Sequence, residues 1–341
     1  PESLHGPCAV LAARPTNGGT ALSTGPWSFA TAAATGDPST DHGRWAAPAD
    51  SLAVREATAG ARSSDDVRTL DIGTAADVSI RVYSGPHASG RPAPSRGMAA
   101  AWVLVGITVV GQIVWVLTSG VVRTALTEVT VVSFLLACVV HAVITHGAAW
   151  TAGYLVISIG LGLAVEAVGV ATGFPFGPYA YGSALGPTVL GVPWVVPLAW
   201  AMMAYPCLLL ARRMTTSRVW VPILGGWTLA AWDLFLDPQM TGEGYWTWSS
   251  SLPGLPGIPG IPFTNYLGWL LVAGVMMALL DLLPRRRVSV RVPAALLLWT
   301  YASCVLAAAV FFGRPWVALW GGVAMGVTVL PWAYRLWFGR P

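Results

Sequence analysis

Along most of the chain, polar positions are scarce and fall in clusters between long apolar runs. From residue 98 onward the runs lie at roughly 99–118, 127–145, 148–171, 193–211, 219–236, 265–283, 292–312 and 315–337. Each approaches the ~20 residues that a helix needs to cross a bilayer. The last two are separated only by Gly313-Arg314-Pro315, so the pattern admits seven or eight crossings. The two longest breaks, 172–192 and 237–264, are crowded with Gly, Pro and aromatic residues, which set turns and forbid long helices. Residues 1–97 show no long apolar run. Only Val78–Tyr83 alternates in the manner of a strand, and one strand is not a domain.

Composition sharpens this picture. The 341 residues are 55% hydrophobic and only 10% charged, with a mean hydropathy of +0.63. Soluble domains carry about a quarter charged residues. The fold class expected is therefore all-α: a polytopic membrane bundle of seven to eight transmembrane helices, residues 98–341, behind an N-terminal extension. That extension, 1–97, is rich in Ala, Gly, Ser, Thr, Pro and Asp, the composition of a disordered segment. It does not read as a secretory leader. Met98 opens directly onto the first apolar run, so the functional chain is expected to start near it.

All 19 basic residues are arginine, and their placement orients the bundle. With eight crossings Arg91, Arg96, Arg212, Arg213, Arg218, Arg285, Arg286, Arg287, Arg291, Arg335 and Arg340 fall on one side, leaving Arg123 and Arg314 opposite. The positive-inside rule makes the rich side cytoplasmic. The expectation is a multi-pass protein of the cytoplasmic membrane with both termini in the cytoplasm and both aromatic loops on the far side.

Six acids remain in 98–341: Glu128, Glu166, Asp233, Asp237, Glu243 and Asp281. Asp281 stands beside Arg285–Arg287 and is expected to pair there, and Glu128 is expected at an interface. Glu166 and Asp233 lie inside apolar runs, where a charge costs at least about 2.5–3.5 kcal/mol and usually marks function. Asp237 follows Asp233 at i+4 on the same helix face. At about 1.5 Å per residue all three reach one depth beneath the aromatic loops. A carboxyl kept from water holds its proton and can act as a general acid, and aromatic faces attract cations. Together they suit protonation of an alkene, retention of the carbocation and admission of water, with a lipid as substrate. Alternatively, Glu166 hydrogen-bonds a neighbouring helix and Asp233 caps or pairs. Cys138, Cys207 and Cys304 stand singly in apolar runs, and His141 and His146 at i,i+5 do not share a helix face well. No His boxes, GxGxxG, P-loop or CxxC are present, so no metal or cofactor is expected.

Four segments carry a resemblance: Glu166–Gly182, Trp232–Met240, Gly244–Trp248 and Ile261–Trp269. In this order they resemble the membrane carotenoid-biosynthesis protein family, carotenoid 1,2-hydratases of the bisanhydrobacterioruberin hydratase type, over roughly 98–341. The resemblance implies addition of water across the terminal C1–C2 double bond of an acyclic carotenoid end, giving a tertiary alcohol without a cofactor. The partners it implies are a carotenoid, water, membrane lipids and other carotenoid-pathway enzymes, with no nucleic acid. Asp233 or Glu166 is expected to donate the proton, and Asp237 to orient the water and accept its proton. Phe174, Phe176, Tyr179, Tyr181, Trp232, Tyr245, Trp246 and Trp248 are expected to form the substrate pocket, with Asn265 as a water ligand. Two rival readings stand: an intramembrane prenyltransferase using Asp233/Asp237 and Mg²⁺, and a non-enzymatic carotenoid- or lipid-binding or transport protein.

Overall fold

The computed structural model describes residues 96–338 and the backbone of three short strands before them. The strands, β1 (Arg55–Glu56), β2 (Arg68–Asp71) and β3 (Ile80–Val82), form an antiparallel sheet in the order β1-β2-β3. The strand expected at Val78–Tyr83 thus has partners. Apart from these strands, the expected disorder of 1–97 lies outside the described residues.

Among the described residues eight helices follow: α1 (Arg96–Val116), α2 (Gly120–His146), α3 (Ala148–Thr172), α4 (Val195–Met214), α5 (Trp220–Gly242), α6 (Phe263–Asp281), α7 (Arg291–Leu306) and α8 (Pro315–Phe338). A π-helical turn, Ala307–Phe311, continues α7, and Gly313 then breaks the chain before α8. Seven of the eight are long and apolar enough to cross a membrane; α5 falls short in apolarity. It carries Asp233 and Asp237 and packs against α4, α6 and α8, so protein rather than lipid surrounds its polar groups. Such enclosure is what makes intramembrane acids tolerable. The chain is a multi-pass membrane protein built as an all-helical bundle, with α4 the most enclosed helix and α3 among the least.

Two boundaries differ from the sequence pattern. The fifth apolar run stops before Asp237-Pro238, yet α5 continues to Gly242. Proline removes one helical hydrogen bond and tends to break a helix, but here the Arg314 guanidinium binds the Pro238 carbonyl and packing holds the last turn. Likewise α2 starts at Gly120, so Glu128 sits half-buried two turns inside it rather than at its start.

The two ends of the bundle are unlike. At one end, buried Asp281 binds Arg212 (2.9 Å), Arg285 and, more loosely, Arg218 (3.8 Å). The partners are thus Arg212, Arg218 and Arg285 rather than Arg285–Arg287. Arg335 reaches the Met214 carbonyl at this same end. At the other end the two aromatic loops join: β4 (Tyr179–Tyr181) pairs antiparallel with β7 (Trp246–Trp248), with Tyr179 opposite Trp248 and Tyr181 opposite Trp246. A hairpin of β5 (Thr188–Val189) and β6 (Val192–Pro193) leads into α4.

Candidate active site

Glu166 lies in the last third of α3, two turns before Gly173 ends that helix in the left-handed conformation that glycine favours (φ 78°). The chain then doubles back, and β4 hangs its tyrosines over the carboxyl. Tyr179 and Tyr181 both donate to Oε2, at 2.6 and 2.7 Å, and the Trp200 indole donates to Oε1 at 2.9 Å. Gly169 permits the approach, because a Cβ there would stand 2.7 Å from the Tyr179 hydroxyl. Burial and then the Glu166 carboxyl push both phenols well above the ordinary tyrosine range, so they remain donors. With three donors satisfied at once, Glu166 is built as an acceptor.

Asp233 and Asp237 form a second carboxyl site. One Asn265 amide nitrogen bridges them, at 2.9 Å from Asp233 Oδ2 and in short contact with Asp237 Oδ2. The Trp246 indole donates to Asp237 Oδ1 at 3.0 Å. Asp233 Oδ1 is buried without a partner. None of Glu166, Asp233 and Asp237 forms an ion pair among the described residues.

Between these sites lies a cavity of about 160 Å³, open on one side. Of the expected residues, Glu166, Asp237 and Asn265 line it, together with Phe176, Tyr179, Tyr181, Trp232, Trp246 and Trp248. Three do not. Phe174 is 66% exposed on the outside of its loop. Tyr245 is buried, but turns its hydroxyl to Thr124 (3.0 Å). Asp233 sits behind Asp237 and Asn265, fully buried and off the cavity wall. Asn265 spends both amide hydrogens on the two aspartates, which leaves only its carbonyl for water.

Other lining residues escaped the sequence pattern. Trp200 and Trp269 stack at 3.8 Å and an interplanar angle of 13°, making a flat aromatic wall. Gln112 lines the far side, held by Trp299 at 2.7 Å. A tryptophan inside an apolar run looks like any membrane-belt residue. Trp269 closes the fourth quoted motif, and that was its one signal. No Lys or Arg lines the cavity, and no cluster of three metal-binding side chains occurs among the described residues.

Residues 125–331 match the family described as carotenoid biosynthesis protein. Over 122 residues the chain is 35% identical to bisanhydrobacterioruberin hydratase of Haloarcula japonica, a stretch covering 34% of this chain and 40% of that protein. The match therefore spans less than half of the relative's length. No solved structure matches the chain. With the family match covering more than half of its length, and including the carboxyls and the paired aromatic loops, the chain belongs to the carotenoid biosynthesis protein family.

Proposed function

We propose that this protein adds water to the terminal C1–C2 double bond of an acyclic carotenoid end group, giving a tertiary alcohol, with no cofactor. The observation that carries the reading is the pair of carboxyl sites, Glu166 and Asp237, on the walls of one aromatic cavity inside a membrane bundle. The relative's name, a hydratase, agrees with it. A cavity of about 160 Å³ takes the end of a polyene rather than its length, since an apolar cavity of ~150 Å³ holds about one benzene. The rest of the chain would lie in the bilayer.

Chemically, the Asp233–Asp237 pair is the acid, acting through Asp237, the member on the cavity wall. Its proton goes to C2, and the cation forms at C1 against the Trp200–Trp269 wall and the faces of Trp232 and Trp246. Glu166, which holds Tyr179, Tyr181 and Trp200 through three hydrogen bonds, positions the aromatic wall against the cation rather than supplying the proton. Water then bonds to C1 and returns a proton to the aspartate pair, so the catalyst is regenerated. The arginine-rich end faces the cytoplasm under the positive-inside rule, placing the cavity near the opposite face.

The prenyltransferase reading would need diphosphate and Mg²⁺ at Asp233/Asp237. Asn265 and Trp246 already occupy three of those four oxygens, the fourth, Asp233 Oδ1, is off the cavity wall, and no basic residue lines the cavity. The test is pigment extraction from a lycopene-producing host that expresses the full chain. Products heavier by one water at one or both ends are expected. Products gaining an isoprenyl unit would establish the transferase instead, and unchanged pigment a binding or transport role.

A further inference from the structure

We infer that a small cavity beside the substrate cavity holds the water that the reaction consumes, with Gln239 and Arg314 as its ligands. This inference rests on the hydration reading above. Hydration makes two opposing demands on one site: the cation must form away from bulk water, yet one water must arrive once it has formed. With a polyene end in the large cavity and its tail filling the open side, water cannot follow the substrate in. It needs its own route.

The structure contains a place for it. Where the C-terminal turns of α5 meet the π-helical turn after α7, a cavity of about 10 Å³ adjoins the large one. One water needs roughly 10–15 Å³ and two to four polar partners. The small cavity shares Gln239, Cys304 and Phe312 with the large one, so these residues form the partition between them. The half-buried side-chain amide of Gln239 makes no hydrogen bond among the described residues. It therefore has N–H donors and a carbonyl acceptor to offer.

Arg314 lines the small cavity only. Its backbone N–H binds the Ala308 carbonyl at 2.8 Å and its guanidinium binds the Pro238 carbonyl, which leaves further N–H groups for a water oxygen. Arg314 is half-buried in the α7–α8 connection, at the aromatic end of the bundle. Departures from α-helical hydrogen bonding of this kind recur at functional sites. In this arrangement Arg314 and Gln239 donate to the water oxygen while the Gln239 carbonyl accepts one of its hydrogens. The water passes Phe312 and bonds to C1, and its proton goes to the aspartate pair.

The experiment uses membranes containing the full chain, lycopene and heavy water. In the intact protein, protonation by deuterium is followed by capture, so deuterium appears in the alcohol. In Gln239→Leu the cation still forms but waits for water. It loses a proton instead, returning an alkene that now carries deuterium. The expected result is about a tenfold fall in alcohol, with deuterium in recovered lycopene at or above the level seen with the intact protein. Gln239→Asn, which keeps the amide, is expected to restore much of the alcohol. Unchanged alcohol formation by Gln239→Leu, or equal loss of alcohol and of deuterium exchange, would overturn the water site while leaving hydration standing. If the intact chain forms no alcohol at all, the hydration reading itself fails and the water site falls with it.

Discussion

Two groups of buried acids stand at opposite ends of the same bundle, and they are provisioned in opposite ways. Asp281 at the arginine-rich end is 2% exposed and meets three arginines. Glu166, Asp233 and Asp237 at the aromatic end are comparably buried, yet their partners are phenols, indoles and one amide, all neutral. An acid that meets arginines from several segments joins elements: here α4, the α4–α5 connection and α6. Among the acids that share neutral donors, Asp237 stands on the cavity wall without an ion pair, where a proton can pass to a substrate. Burial alone does not separate structure from chemistry in this protein; the charge of the neighbours does.

Substitutions can break or sharpen that contrast. Asp237→Asn should cost most in turnover, about 10²- to 10⁴-fold as expected for a general acid–base group, with the bundle intact by circular dichroism. Near-normal hydration by this variant would put the proton source elsewhere. Asp281→Asn should do the reverse. Removing one partner of a buried ion cluster costs roughly 3–5 kcal/mol, read as a lower melting temperature in detergent, while turnover per folded molecule stays constant. A loss of turnover without a loss of stability would erase the distinction between the two ends.

Glu166→Gln should fall between them. An amide in its place cannot accept from all three donors, and a buried donor left unsatisfied costs about 1–3 kcal/mol, so a loss of roughly 10- to 100-fold in kcat is expected. Gly169→Ala tests the same carboxyl from behind. Its new methyl would press on the Tyr179 hydroxyl and the Phe176 ring, and overpacking of this kind costs about 1–3 kcal/mol. Weaker hydration and lower stability are expected, and adding Tyr179→Phe should return part of the stability but not the hydration, because the hydroxyl it removes is a donor to Glu166. Phe174→Ala should be nearly silent in turnover and within about 0.5 kcal/mol in stability, because its ring faces outward. A clear loss of activity would return Phe174 to the pocket.

Much of the site was legible in the sequence because its residues violate their surroundings. Glu166 and Asp237 are acids beside or within apolar runs, and Tyr179, Tyr181 and Trp246 are aromatics packed into Pro/Gly-rich loops that must fold over something. Their pairing as β4 and β7 was not visible, since three-residue strands from distant loops leave no periodic signal. The retreat of Asp233 was hidden for a different reason. Spacing of i,i+4 puts two carboxyls on one face but does not tell which one reaches a cavity. Trp200 and Trp269 were hidden by chemistry: a tryptophan in an apolar helix is ordinary until a neighbour is found stacked on it. The helix count survived, but the end of α5 did not, because Pro238 reads as a stop and tertiary contacts carried the helix past it.

The central claim is that the aromatic end of the bundle adds water to an alkene. The most direct measurement is the source of the product oxygen. Membranes bearing the full chain, given lycopene in heavy-oxygen water, should yield an alcohol with one labelled oxygen per hydrated end, and the Asp237→Asn variant should yield almost none. Unlabelled alcohol, with its oxygen drawn from molecular oxygen, would contradict the account, as would full labelling in the variant.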